Sequence, residues 1–344
     1  KKMINLIKYQ EVITMKKFLR AAIAVTAALA LTACGSSDNS SEQTDTANNE
    51  QAEAADGETY KIGVLQLTQH TALDKTNQGF IDALDASGIK YEVDQQNASN
   101  DQPTCQTIAE KLVNDGNDLI YTIATPAAQA VAGMTKDIPV VLSAVTDPAA
   151  SGLVASNEAP GGNVTGTSDL TPISEQIKLL KDLFPDASKV GILYCSAESN
   201  SSIQAELARE ACTELGLEAT DFTVSSTNEI QTVVESMVGK VDVIFAPTDN
   251  TIANGMATVS MIATDNGLPV ICGESGMVEA GGLATYGIDY YKLGYMAGEM
   301  AVDILVNGKN PAEMPIQYQP SDEYELTVNE EIAAKLNVDL SAIQ

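Results

Sequence analysis

The residues best suited to chemistry gather in short polar segments: 66–70, with Gln66 and His70; Ala124-Thr-Pro-Ala; Ser143-Ala-Val-Thr-Asp-Pro; Cys195-Ser-Ala-Glu-Ser-Asn-Ser-Ser; Pro247-Thr-Asp-Asn-Thr; and Gly273-Glu-Ser-Gly. They offer hydroxyls, amides and carboxylates, the groups that hold a small polar molecule by hydrogen bonds. They do not offer a catalytic set. His70 is the sole histidine, and no Gly-x-Ser-x-Gly or His-Glu-x-x-His pattern accompanies it. Cys105, Cys195, Cys212 and Cys272 lack Cys-x-x-Cys spacing, which argues against a metal site, and no disulfide between Cys195 and Cys272 is expected. Gly161-Gly-Asn-Val-Thr-Gly lacks the lysine of a phosphate loop. The chemistry in prospect is therefore binding, with no cofactor, no metal and no catalytic residue.

Most of these segments follow a short apolar run. Such runs fall near 61–66, 118–123 and 139–142, and again near 189–194, 241–246 and 269–272, with further strands near 90–94 and 219–224. Helical patterns such as Phe80, Ile81, Leu84 and Ile108, Leu112, Val113 separate them. Fully apolar strands alternating with amphipathic helices imply parallel sheets covered on both faces. The pattern also repeats. Lys61-Ile-Gly-Val-Leu recurs as Lys189-Val-Gly-Ile-Leu, and each copy has a second glycine, Gly88 or Gly216, 25 residues after its first. Asp118-Leu-Ile-Tyr matches Asp242-Val-Ile-Phe, and Ile138-Pro-Val-Val-Leu matches Leu268-Pro-Val-Ile-Cys.

The sequence thus predicts an α/β protein of two doubly wound parallel-sheet lobes. The first is read as 59–168 plus 286–313, the second as 169–285 plus 314–344. Hinge crossings are expected near 167–172, 283–288 and 314–318. An apolar stripe of Leu293, Met296, Ala297, Met300, Ile304 and Leu305, ended by Gly308, reads as core. Open parallel sheets bind ligands beyond the carboxyl ends of their strands, so a cleft between the lobes is the expected site, buried by their closure.

The N-terminal region says where the protein works. Lys16, Lys17 and Arg20 precede an apolar run at 21–30 and then Leu31, Thr32, Ala33 and Cys34, the order of a bacterial lipoprotein signal. That run is too short to span a bilayer, which takes roughly 20 apolar residues. Cys34 is read as the lipidated first residue after cleavage, and Met15 as the start, because 1–14 add nothing a signal needs. Residues 35–58 contain no Val, Ile, Leu or aromatic side chain and read as an acidic, disordered tether. Membrane contact is then through the lipid alone, outside the cytoplasm.

Charge excludes other classes of partner. The chain holds 19 basic and 47 acidic residues; residues 1–33 account for six and one of these, which leaves a formal charge of about −33 on the remainder. Such a balance repels nucleic acid and anionic lipid while keeping an exported monomer soluble.

Several segments together carry a resemblance. Gly63-Val-Leu-Gln66 with His70, Leu73, Asp74, Gly79 and Phe80, then Ala124-Thr-Pro-Ala-Ala-Gln129, Ser143-Ala-Val-Thr-Asp-Pro148 and Gly161-Gly-Asn-Val-Thr-Gly-Thr-Ser168 occur in order. Tyr194 with Glu198, Asn200 and Ser201, Pro247-Thr-Asp-Asn-Thr251, Tyr286-Gly-Ile-Asp-Tyr-Tyr291, Leu293-Gly294 and Ala297-Gly298 follow. The chain resembles the ABC-transporter substrate-binding family with the periplasmic-binding type I fold, especially its tryptophan- and tyrosine-binding branch. The resemblance implies no catalysis, an amino-acid ligand of aromatic type, and an ABC permease with its ATPase as partners. Sugar, nucleoside or signalling ligands on the same fold are the alternative; the absence of Trp, with five Phe, counts against sugar stacking.

For such a ligand the residues suggest specific roles. Beyond residue 33 the sequence has one arginine, Arg209, within an apparent helix, so an arginine clamp on the carboxylate is not expected. Hydroxyls near helix N-termini remain for it: Thr125, Ser143, Thr146, Ser196, Ser201 and Ser202. Asp249 or Glu274 would accept the ammonium, Asp249 being preferred, although Asp249 and Asn250 also suit a helix cap. Tyr194, Tyr286 and Tyr290 are candidates for the ligand's ring, against the alternative of packed core. Asp147 before Pro148 suits a turn.

Overall fold

The computed structural model describes residues 59–343. The signal segment, Cys34 and the tether lie outside the described residues.

The chain opens with strand β1 (Thr59–Gln66), helix α1 (Thr71–Ser87), β2 (Lys90–Asn97), α2 (Gln102–Asn114), β3 (Leu119–Ile123), α3 (Thr125–Met134), β4 (Val140–Val145) and β5 (Val164–Ser168). These strands pair in parallel in the order β2-β1-β3-β4-β5. The second lobe begins with α4 (Ile173–Leu183), β6 (Lys189–Cys195), α5 (Ser199–Glu214), β7 (Glu218–Val224), α6 (Ile230–Met237) and β8 (Val243–Ala246). It continues through α7 (Asn250–Asn254), α8 (Met256–Asp265), β9 (Val270–Cys272), α9 (Ser275–Glu279) and β10 (Ala284–Gly287). Helix α10 (Tyr290–Leu305) returns to the first lobe, and β11 (Glu325–Val328) with α11 (Glu330–Leu336) completes the second.

The second sheet runs β11-β10-β9-β8-β6-β7, so its parallel strands repeat the order of the first. The sequence repeat has a physical counterpart. Asp118 Oδ2 accepts from the Lys61 N–H at 2.7 Å, and Asp242 Oδ2 accepts from the Lys189 N–H at 2.8 Å, so each aspartate ties the first strand of its half to the third. β3 and β8 are buried along their whole length, which is why they read as unbroken apolar runs. β11 is antiparallel to β10, an edge the sequence pattern did not signal. After its third crossing the chain enters the second lobe from the carboxyl ends of the parallel strands, so a strand laid down there must run against them.

Helix α10 is bound into the first lobe by contact too close for side chains. A Cβ on Gly79 would stand 2.0 Å from the Tyr291 carbonyl oxygen, and one on Gly294 would stand 1.9 Å from that of Thr76. The predicted stripe faces inward: Leu293, Ala297, Met300 and Ile304 join the first-lobe core, while Met296 and Leu305 are half-buried. Burial of each large aliphatic side chain contributes about 2 kcal/mol. The second sheet is covered by separate clusters centred on Val190, Ile192 and Phe245 and on Leu193, Ile244 and Ala246. All four cysteines there and in the first lobe are buried and unpaired.

Three segments cross between lobes. One follows Ser168, and one follows Gly287, since β10 belongs to the second sheet through that residue rather than ending before Tyr286. The third still pairs with the first sheet at Gln317, whose carbonyl accepts from the Ser168 N–H at 2.8 Å. Met314 packs in the first-lobe core, so this crossing lies later than residue 314. Among the described residues no helix is long and apolar enough to cross a membrane.

Candidate functional site: the cleft between the lobes

The carboxyl ends of the two sets of strands meet around a small, largely closed cavity. Its first-lobe wall is His70, Leu73 and Ala144; its second-lobe wall includes Asn200, Thr248, Asp249, Asn250, Ala253 and Glu274; Asp169 and Tyr290 come from the first two crossings. Ala144 holds a positive φ of 54°, unusual for a residue with a Cβ, at the end of β4 where the backbone turns toward the cleft. The lobes are closed on each other. His70 Nε2 lies 3.4 Å from Asn250 Oδ1, Asn100 Nδ2 donates to Thr251 Oγ1 at 3.2 Å, and Gln204 Nε2 donates to Thr146 Oγ1 at 3.2 Å. At the rim the Lys75 ammonium stands 3.2 Å from the Glu279 carboxylate.

Four carboxylates are buried here, and their partners divide them. Asp249 Oδ2 accepts from the Cys195 N–H at 2.6 Å and Oδ1 from the Ile252 N–H at 2.7 Å, capping α7. Glu274 caps α9 in the same way, with both oxygens taking N–H groups of Gly276 and Met277. Glu198 accepts from the backbone and side chains of Asn250 and Thr251 at 2.6 to 3.3 Å. Asp169 differs. Its Oδ2 accepts from the Tyr290 hydroxyl at 2.9 Å, and its Oδ1 has no partner although the side chain is 2 % exposed. A buried, half-satisfied carboxylate facing a cavity is the one placed to take a donor from a ligand.

Burial governs the proton equilibria. It pushes Asp169 up to about 6, against the pull of the hydroxyls of Tyr290 and Thr146. Asp249 is raised by burial and then by the Glu198 charge beside it, with the N–H bonds opposing. Glu274 is pushed up to about 7 by burial. Burial lowers His70, which the Asn250 hydrogen bond and the charges of Asp74 and Glu198 only partly offset, so the imidazole is neutral at pH 7.

Helix N-termini provide the donors. Helices α1 and α5 begin at the cavity, beside His70 and Asn200, with no side chain capping either. Their first N–H groups have no intrahelical partner and carry the positive end of the helix dipole. The short helices α7 and α9 are already capped by Asp249 and Glu274. Thr248 Oγ1 and Asn200 Oδ1 are also buried without partners at the wall.

Of the residues singled out by sequence, His70, Asn200, Asp249, Asn250, Glu274 and Tyr290 line the cavity. Both oxygens of Asp249, the preferred ammonium acceptor, already accept a backbone N–H, whereas Asp169 keeps one oxygen without a partner. Glu274 likewise has both oxygens taken. Thr146 and Ser201 lie just behind the wall: Thr146 bonds Gln204, and Ser201 Oγ accepts from Asn200 Nδ2 at 3.3 Å. Gln66 Nε2 is spent on the Thr68 carbonyl and Asp74. Ser143 Oγ pairs with Thr167 Oγ1 at 2.7 Å beneath the cleft floor. Ala124, at φ 85°, starts α3 with Thr125, whose hydroxyl is buried and unpartnered; neither is among the lining residues.

Four expectations lead away from the cleft. Asp147 Oδ1 accepts from the N–H groups of Ala149 and Ala150 and from Asn157, the turn its proline suggests. Ser196 bonds the Val224 carbonyl. The Tyr194 hydroxyl donates to Asp221 at 3.2 Å, beside the Arg209 guanidinium that also grips Asp221. Tyr286 packs on the second-lobe core. The sequence reading missed Asp169 altogether. A signal existed, since Asp169 is the lone charged residue between Glu158 and Glu175, in a segment expected to cross between lobes.

The closed two-lobe fold with a polar cleft defines a class, the type I periplasmic binding proteins. Within it the chain belongs to the ABC transporter substrate binding protein family, whose model matches residues 61–342. It is 43% identical to a tyrosine-binding protein of Clostridioides difficile over 331 residues, 95% of this chain and 94% of the relative. An ABC domain of Streptococcus pneumoniae solved in complex with L-Trp is 40% identical and superposes with a TM-score of 0.80, covering 82% of this chain and 96% of that one. The ligand-free, open structure of a Clostridium difficile substrate binding protein with adhesive properties is 45% identical over 81% of this chain and 95% of that one, yet its TM-score is 0.63. Of these two solved structures, the one nearer in identity is thus the farther in shape. Substrate-binding proteins of ABC transporters act outside the cytoplasm, deliver small molecules to a permease and are not enzymes.

Proposed function

We propose that this protein is the receptor of an ABC importer for an aromatic amino acid, L-tyrosine or L-tryptophan, held at the membrane by a lipid on Cys34. The observation that carries the reading is the unpartnered Oδ1 of buried Asp169 inside the closed cleft, an anionic acceptor suited to an α-ammonium group. The uncapped N-termini of α1 and α5 suit the carboxylate, and Leu73, Tyr290 and Ala253 supply apolar surface for a ring. Both the tyrosine-binding relative and the tryptophan-bound structure favour this ligand class. A neutral sugar would leave a buried anion without a countercharge.

The test is calorimetric titration of the 59–344 fragment with the twenty amino acids, sugars and nucleosides. Binding confined to aromatic amino acids is expected; ligand at ~1,000 times its dissociation constant should add about 4 kcal/mol of stability. Binding of sugars or nucleosides alone would overturn the reading. Membrane attachment is tested separately by expressing the full chain with Cys34→Ser, which should release the protein to the medium or periplasm.

A further inference from the structure

We infer that Tyr290 is a positioning residue that aligns Asp169 for the ligand's ammonium and links that carboxylate to the hinge. The inference rests on the amino-acid reading above for its ligand, and on hinge geometry for its mechanism. Asp169 lies on the crossing that leaves β5, and Tyr290 is the first residue of α10, just past the crossing that leaves β10. A 2.9 Å hydrogen bond joins the two side chains, which are 2 % and 3 % exposed. The third crossing is tied in as well, because the Asp289 N–H donates to Gln319 Oε1 at 2.6 Å. One carboxylate therefore bonds a neighbouring crossing with Oδ2 and leaves Oδ1 free at the cavity.

The Tyr290 hydroxyl is the one hydrogen bond that holds the side chain, through Oδ2, and so restricts the direction of Oδ1, with a weaker pull from the Thr146 hydroxyl nearby. The bond also favours the ionised form, opposing the burial that raises Asp169 to about 6. The remaining ionisable groups facing the cavity are His70, Asp249 and Glu274, and the last also acts on Tyr290. Lobe rotation turns the backbone around Asp169 and Tyr290, so the bond is a contact through which ligand charge and closure influence each other.

The test separates the hydroxyl from the ring. Tyr290→Phe keeps the apolar wall and removes only the bond. In ligand-free protein labelled with 13C at aspartate carboxyls, the signal lost in Asp169→Asn assigns Asp169, and its titration midpoint should move upward in Y290F. Affinity for L-tyrosine or L-tryptophan, whichever the wild type binds, should fall about tenfold at pH 7, with the loss on acidification beginning at higher pH. An unchanged Asp169 midpoint in folded Y290F would overturn the inference even if aromatic amino acids bind. Failure of the wild type to bind any amino acid, with the midpoint shifted, would refute the ligand and leave the positioning intact. If Y290F does not fold, the same titration run on Tyr290→Met, which also removes the donor, decides: a midpoint equal to wild type overturns the proposal.

Discussion

The second-lobe wall and the hinge wall of the cleft both bury carboxylates, but only the hinge leaves one with an oxygen to spare. Asp249 and Glu274 stand at the N-termini of five-residue helices and are consumed by the backbone N–H groups those helices expose. Asp169 stands where no helix begins, and a tyrosine hydroxyl takes one of its oxygens. The difference teaches that a buried acid becomes a ligand site only after the local backbone has been satisfied. A cap and a receptor can share a cleft and look alike in sequence.

Paired substitutions break or sharpen this contrast most strongly. Asp169→Asn should weaken ligand binding by on the order of 100-fold, the scale for truncating one member of a buried charge pair, with folding retained. Asp249→Asn should instead lower unfolding stability by about 1–2 kcal/mol through the damaged cap, while affinity in the folded protein stays within a few-fold. Calorimetry and denaturant melts on both variants decide it. The opposite pattern, with binding lost in D249N and kept in D169N, would restore Asp249 as the ammonium acceptor.

An intermediate effect is expected from pH. Asp169 and Glu274 have folded values raised to about 6 and about 7, above their unfolded values, so between those limits the folded state binds more protons than the unfolded chain. Stability of the ligand-free protein should therefore rise as pH falls from about 7 toward 5, and the melting temperature should follow. Ligand affinity should move the other way and fall roughly tenfold between pH 7.5 and 5, because the ammonium needs Asp169 ionised. Parallel loss of stability and affinity on acidification would contradict the two-sided picture.

The smallest effect concerns the rim. The Lys75–Glu279 pair joins the lobes, yet both side chains are about half exposed. Replacing Lys75 with Ala should change affinity less than about threefold, and that change should vanish at high salt. A larger loss would mean that closure is latched at the rim rather than decided at the hinge.

Much of the fold was legible because its strands are buried on both faces. β1, β3, β6 and β8 are short β-branched runs with no polar alternation, and the duplicated Lys-x-Gly and Asp-x-Ile patterns mark equivalent strands. The antiparallel β11 was not legible, since its half-buried Glu-Leu-Thr-Val is indistinguishable from a loop until an edge is offered to it. Gly79 and Gly294 show the intermediate case: both are visible as motif residues, but their reason is helix contact across more than 200 positions of chain.

For the site, the sequence determined the inventory: one neutral-range histidine, one arginine outside the signal segment, and carboxylates and hydroxyls at strand ends. From the scarcity of arginine it also determined that hydroxyls and helix ends must serve any carboxylate. Only the tertiary structure decided which acid is free. Hydrogen-bond satisfaction depends on which groups meet when two lobes and three crossings come together, and Asp169 and Tyr290, 121 positions apart, meet only there.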